Sequence, residues 1–213
     1  MDKNREIPIV NISTIDKENS RLSASRLVME SLPAYYVVDG IDECEMASAV
    51  AAMLGKKGSE IEKGYAALYK GEVVGIFTFL YGEELPTARI VGTQTLFKHL
   101  STDSARKFRN HLQHYNGGFG TVPRESIYLS RFAVDKDYRG SGLASRLLEV
   151  FLCLEDDNVR GRDQFSLHVD RDNERAIAFY SKHEFYMYHT GLRYLTMVCS
   201  QEGRCAPSKS TED

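Results

Sequence analysis

The sequence predicts a single α/β domain of the α+β kind: a mixed central sheet of about six to seven strands with helices on both faces. Three observations carry that expectation. Ile127 to Val134 reads as a strand and runs through a glycine loop into a helix. Tyr65 to Tyr69 and Val73 to Leu80 are apolar runs joined by Lys70-Gly71-Glu72, a hairpin signal. A chain of 213 residues with 42% hydrophobic content suits one domain with a sizeable core.

Taken in order, Ile7 to Ile12 is a first strand, and Pro8 assigns it to an edge or marks the strand start. Ser20 to Leu32 is a helix that ends before Pro33. Leu32-Pro33-Ala34-Tyr35-Tyr36 is an aromatic turn, its tyrosines open to core packing or substrate contact. Asp42 to Leu54 is a second helix, with Met46, Ala49, Val50 and Met53 on one face and Gly55 as its stop. After the hairpin, Gly82 to Ser126 is too long for a simple turn. It holds one helix, Thr102 to about Tyr115, and a glycine-rich stretch, Gly117 to Gly120, that reads as a mobile loop. Such a segment covers a site or mediates a dimer. Phe165 to Val169 is the next strand, followed by a helix through Tyr180. Phe185 to Tyr188 and Leu192 to Val198 close the sheet around His189-Thr190-Gly191. From Ser200 the chain is polar and without periodicity.

Composition excludes several classes. A net charge of −3 gives no basic footprint for nucleic acid. No apolar run approaches the ~20 residues of a membrane helix, and the first residues lack a signal-peptide core. Cys44, Cys153, Cys199 and Cys205 have no C-x-x-C spacing and read as free thiols in a reducing cytoplasm. His99, His111 and His114 lack a carboxylate or cysteine at ligand spacing, so no metal is expected and they read as surface residues.

The chemistry gathers at Arg139-Gly140-Ser141-Gly142-Leu143-Ala144. Helix-start N–H groups lack intrahelical partners and carry partial positive charge. Glycines let the backbone approach an anion, and Arg139 adds a fixed charge. The loop lacks a P-loop lysine, because Leu143-Ala144 follows Gly142. It also lacks the third glycine of a dinucleotide fingerprint, where Ser145 stands.

Arg139-x-x-Gly142-x-Ala144 after a strand ending Phe132-Ala133-Val134 resembles the acyl-CoA pyrophosphate loop of the GNAT (Gcn5-related) N-acetyltransferases. Asn173-x-x-Ala176-x-x-Phe179-Tyr180-x-Lys182-x-Glu184-Phe185 resembles that family's second signature, with Glu184 in place of a glycine. The resemblance implies an acyltransferase domain over residues 1–199, with an insertion at about 83–126 and a polar tail over 200–213. It implies acetyl-CoA as co-substrate and a small-molecule or peptide amine as acceptor, in a monomer or homodimer with no nucleic-acid or membrane partner. Coenzyme contacts would come from the backbone of Phe132, Ala133 and Val134, from Arg139 to Ser145 (Gly140, Ser141, Gly142, Leu143 and Ala144 between them), and from Asn173, which serves equally as a helix cap. Tyr180 would be the general acid toward the leaving thiolate, or else a core residue on the stripe Ala176, Phe179, Tyr180, His183. The general base is not evident: where many family members carry a glutamate, six residues before Val134, this chain has Tyr128. Water, Glu125 or a carboxylate on the insertion are alternatives. Ser130-Arg131-Phe132-Ala133-Val134 is also similar to a strand of acyl-homoserine-lactone and long-chain N-acyl amino acid synthases, which draw acyl chains from a carrier protein. A non-catalytic acyl-CoA sensor is a third reading.

Overall fold

The computed structural model describes residues 7–115, 117–154 and 164–200. Seven strands form one sheet in the order β1-β2-β3-β4-β5-β7-β6: β1 (Ile9–Asn11), β2 (Lys63–Tyr69), β3 (Glu72–Tyr81), β4 (Ile127–Val134), β5 (Gln164–Asp170), β6 (Tyr186–Thr190) and β7 (Tyr194–Ser200). Every neighbouring pair is antiparallel except β4 and β5. Seven helices flank it: α1 (Glu18–Ser31), α2 (Pro33–Tyr36), α3 (Glu43–Ala51), α4 (Leu85–His99), α5 (Thr102–His114), α6 (Leu143–Leu152) and α7 (Glu174–Lys182).

The strand period of two divides the sheet's side chains between two cores. Ala67, Phe77 and Leu129 face α6 and α7, where Leu147, Phe151 and Tyr180 pack. Ala66 and Ile76 face the other way, toward Val28, Met46, Leu96 and Phe108. Helices therefore cover both faces, as the patterning implies. Among the described residues no helix is long and apolar enough to cross a membrane. Among the described residues Cys44, Cys153 and Cys199 form no disulfide with one another, while Cys205 and the polar tail lie outside the described residues.

The segment after β3 differs from the sequence reading. It contains two helices, and α4 was not expected. Pro86 occupies the first turn of α4, where a missing N–H costs nothing. Its buried positions are Leu85, Ala88, Gly92, Thr95 and Leu96, mostly small or polar, and Ile90 is exposed. That mixture hides the apolar stripe on which a helix reading depends. The aromatic turn is also more regular than expected: Pro33 to Tyr36 is a short helix begun by the proline. Gly117 to Gly120 is tied down rather than loose, since the Gly118 carbonyl accepts from the N–H groups of Arg193 and Tyr194. His111 bonds the Ala34 carbonyl at 3.0 Å and stacks on Tyr115, so it is held in packing rather than standing free at the surface.

Two irregularities make the cleft. In the β3–β4 register Thr78 pairs with Arg131 and Phe79 with Leu129, which leaves Ser130 as an extra residue, a β-bulge. On the other side, β4 pairs with β5 only from Ile127 to Leu129, although β4 continues to Val134 and β5 to Asp170. The strands therefore part at the bulge.

Candidate active site

The parting of β4 and β5 opens a cavity of about 1320 Å³. Its first half is built from the end of β4. The Asp135 N–H donates to the Val74 carbonyl at 3.0 Å, so Val134 and Gly75 form a pair that exchanges no hydrogen bonds with each other. The N–H and C=O of Val134 then point away from β3, into the gap, and by the period of two those of Phe132 do as well. One of these groups is engaged: the Val134 carbonyl accepts from Arg139 Nε at 3.2 Å.

The chain next reaches the helix mouth. Gly140 and Gly142 have φ of 78° and 85°, left-handed values that cost a residue with a Cβ roughly 1–2 kcal/mol. A Cβ at either position would meet nothing within 4 Å, so the glycines border open space. The first helical N–H bond is Arg146 to the Gly142 carbonyl at 3.1 Å. The N–H groups of Ala144 and Ser145 precede that ladder and belong to the helix's unpaired first turn. Arg139 reaches back toward Glu30 at 3.7 Å, an exposed pair of small worth.

Of the residues expected here, Phe132, Ala133, Val134, Arg139, Gly140, Gly142, Ala144, Ser145, Asn173 and Tyr180 all line this cavity. Ser141 and Leu143 do not: the Ser141 hydroxyl donates to the Tyr138 carbonyl, and the Leu143 side chain is buried in the core beneath α6. Asn173 caps α7 by accepting from the Ala176 N–H at 3.0 Å. Tyr180 is buried, edge-on to Phe132, Phe179 and Phe185, with ring centroids 5.3–6.1 Å away. Among the described residues its hydroxyl makes no hydrogen bond, and burial raises its pKa above the ordinary phenol value. It is a protonated donor facing the cavity.

The second half of the cavity was largely illegible in the sequence. Tyr35 lines it and bonds Thr93 of α4 at 2.8 Å, whereas Tyr36 turns into the core. There Arg131 donates to the Tyr36 hydroxyl at 3.2 Å and to Glu60 at 3.3 Å. Burial works against the Arg131 charge, but Tyr36 and Glu60 outweigh it and hold the guanidinium protonated. Tyr128 donates its hydroxyl to His168 Nδ1 at 2.9 Å, and His168 Nε2 donates to the Gly120 carbonyl at 3.0 Å. Burial, helped by the Arg89 charge, lowers the His168 pKa to about 4, so the ring is neutral. Glu125, Glu83, Glu84 and Asp103 do not line the cavity. Residues of the 82–126 segment do: Arg89, Thr93, Tyr115 and Gly117 to Phe119.

A bulged strand that parts from its parallel neighbour and feeds a glycine-opened helix mouth defines a class of acyl-transferring proteins, and the comparisons agree. The sequence model of the acetyltransferase (GNAT) family matches residues 35–185. This chain belongs to that family. A curated relative, N-alpha-acetyltransferase 30 of Schizosaccharomyces pombe, is 34% identical over 67 residues, covering 32% of this chain and 43% of its own length. The match thus spans less than half of that relative. Among solved structures, one described as an acetyltransferase superposes with a TM-score of 0.66 at 20% identity, over 92% of this chain and all of its own. An N-acetyltransferase from Staphylococcus aureus Mu50 gives 0.61 at 16% identity, over 85% and 96%. At these identities the structural likeness speaks for the fold.

Proposed function

We propose that the protein moves an acetyl group from acetyl-CoA to a primary amine by direct attack, with Tyr180 as the acid toward the leaving thiolate. One observation carries this reading: a single cavity joins the inward-facing backbone of Phe132 and Val134, the open α6 mouth and the unbonded Tyr180 hydroxyl. The residues fit the coenzyme. The gap beyond Leu129 has the form of a missing strand, which an amide-bearing pantetheine arm would fill, and the α6 first turn with Gly140, Gly142 and Arg139 suits a pyrophosphate. When bound, acetyl-CoA supplies the activated acetyl thioester. The Phe132 and Val134 N–H groups are the donors for a carbonyl oxygen there.

Tyr180 cannot give its proton away easily. A free phenol near pKa ~10 is already a weaker acid than a thiol near ~8.5, and burial widens that difference. Its role is a hydrogen bond that strengthens as charge grows on sulfur. For the amine proton, the neutral His168 ring is too weakly basic to store it and instead fixes the Tyr128 hydroxyl. Amine deprotonation runs to water in the open groove. The α-amino group named in the yeast relative's description is the first acceptor to test, and cysteines without C-x-x-C spacing suit a cytoplasmic enzyme.

Titration calorimetry with acetyl-CoA, followed by thiol release from acetyl-CoA across a panel of amines, tests the reading. Binding with turnover of at least one amine supports it. Binding without turnover of any amine favours an acyl-CoA sensor.

A further inference from the structure

Beyond Tyr180 the cavity holds charge that acetyl transfer, as proposed, does not use. Arg89 lies on α4 and lines the cavity, its side chain 37% exposed and its Nε 3.6 Å from Glu60 Oε1. Its guanidinium sits 4.4 Å over the Phe119 ring, which is itself stacked on Tyr194. The Glu60 carboxylate is shared, because its other oxygen accepts from Arg131 at 3.3 Å. Arg131 is buried, 4% exposed in its side chain, and among the described residues its Nε has no hydrogen-bond partner.

Two guanidinium groups thus surround one carboxylate. Among the described residues Glu60 is the only acid in ion-pair contact with either. Of the other acids lining the cavity, Asp170 pairs with Arg193 and Glu30 with Arg139, while Asp172 stands at the α7 end, two residues before that helix. The floor of this half therefore carries one unmatched positive charge in a partly dehydrated place. Such a charge favours an anion and disfavours a second cation. Arg89 is arranged to receive it: Nε faces Glu60, the Phe119 ring lies beneath the guanidinium, the Tyr128 hydroxyl is its neutral neighbour, and among the described residues no second carboxylate is in ion-pair contact with it.

We propose that Arg89 anchors a carboxylate carried by the acceptor, so that the acceptor is an amine that is also an acid. This inference rests on the transfer reaction proposed above. It assigns the acceptor to amino acids, through their α-carboxylate, or to a peptide N-terminus bearing an acidic side chain. It excludes polyamines and basic peptides, whose added charge would face Arg89 and Arg131.

The test uses the full-length protein and its Arg89→Met and Arg89→Lys variants. Acceptors are the twenty amino acids, each as free acid and as C-terminal amide, together with Met-Glu and Met-Gln dipeptide amides. At least one free acid, or the Met-Glu peptide, should exceed its uncharged counterpart tenfold or more in kcat/KM, mainly through KM. Arg89→Met should collapse that ratio toward one, and Arg89→Lys should keep part of it. The pair that shows the preference tells the α-carboxylate from the side-chain acid. Equal rates for acids and amides, or an unchanged ratio in Arg89→Met, overturns the proposal. Calorimetric titration of the N-acetylated acids and amides into the same proteins reads the subsite without turnover. Acids that bind wild type but not Arg89→Met, with no thiol released from any pair, would leave the subsite standing and remove the transfer reaction. Thiol release without any acid preference would do the reverse.

Discussion

The Tyr128 hydroxyl donates to His168 Nδ1 at 2.9 Å, from the middle of the short paired stretch of β4 to the first residue of β5 beyond it. The bond joins the two strands where they part, and His168 completes it by donating Nε2–H to the Gly120 carbonyl. Both nitrogens are thus committed in the neutral ring, and a protonated ring would lose its acceptor.

That arrangement predicts acid sensitivity. With a folded pKa of about 4 against an ordinary 6.5, His168 stays neutral where the unfolded chain takes up a proton. The sign follows: this contribution to stability is complete above pH 6.5 and is lost as pH falls toward 4, by at most ~3 kcal/mol. Urea melts between pH 8 and 4 should show the decline, and His168→Gln should flatten it. An identical slope in the variant would remove His168 as the cause.

Gly142→Glu should weaken acetyl-CoA binding by on the order of tenfold or more, about 1.4 kcal/mol or above. The new carboxylate would sit at the open mouth of α6, where the first-turn N–H groups favour an anion from outside. Gly142→Ala carries the same cost of a left-handed φ without the charge and separates the two effects. Calorimetry is the measurement. Unchanged affinity in a folded Gly142→Glu protein would move the pyrophosphate elsewhere.

Tyr180→Phe keeps the ring contacts with Phe132, Phe179 and Phe185 and deletes only the hydroxyl. It should lower kcat by ~10²-fold or more, the lower range of general acid catalysis, with coenzyme affinity and melting temperature nearly unchanged. Wild-type turnover would make Tyr180 a core residue and nothing else.

Glu184 occupies the position where the family signature has glycine, and its φ is 66°. Holding a side-chain-bearing residue there costs roughly 1 kcal/mol. Glu184→Gly should therefore raise stability, by up to about that amount, since glycine also frees the unfolded chain. A lower midpoint in denaturant would show that the Glu184 side chain contributes more than the backbone loses. The sequence exposed this site because a motif fixes each residue within one turn. The coenzyme loop and the Tyr180 helix were legible for the same reason: their geometry is set by spacings of three or four residues. The other half of the cavity was not. Arg131 and Glu60 are 71 residues apart and Tyr128 and His168 are 40 apart, so only the folded sheet brings them together. Arg89 was missed with α4 itself, whose buried face shows no apolar period.

The choice of donor gives the last prediction. A carrier protein docks through a basic patch at the cavity mouth, and α5 carries three basic side chains that could contribute to one, Arg106, Lys107 and Arg109. In the fold, Arg106 and Lys107 are both paired with Asp103, Lys107 also donates to the Gly40 carbonyl, and Arg109 lies over the Phe97 ring. None of the three lines the cavity. Nearer the mouth, Arg146 is turned to the Ile7 carbonyl, and Arg139 is held by Val134 and Glu30. Phe132, Phe179 and Tyr180 pack ring against ring along the cavity wall, and the expectation is that they border a short acyl group. Turnover should therefore fall as the acyl group lengthens from acetyl-CoA to octanoyl-CoA, and acyl-carrier protein loaded with a long chain should give no measurable product. Faster transfer from the loaded carrier than from acetyl-CoA would reverse the assignment and make the enzyme a long-chain N-acyltransferase.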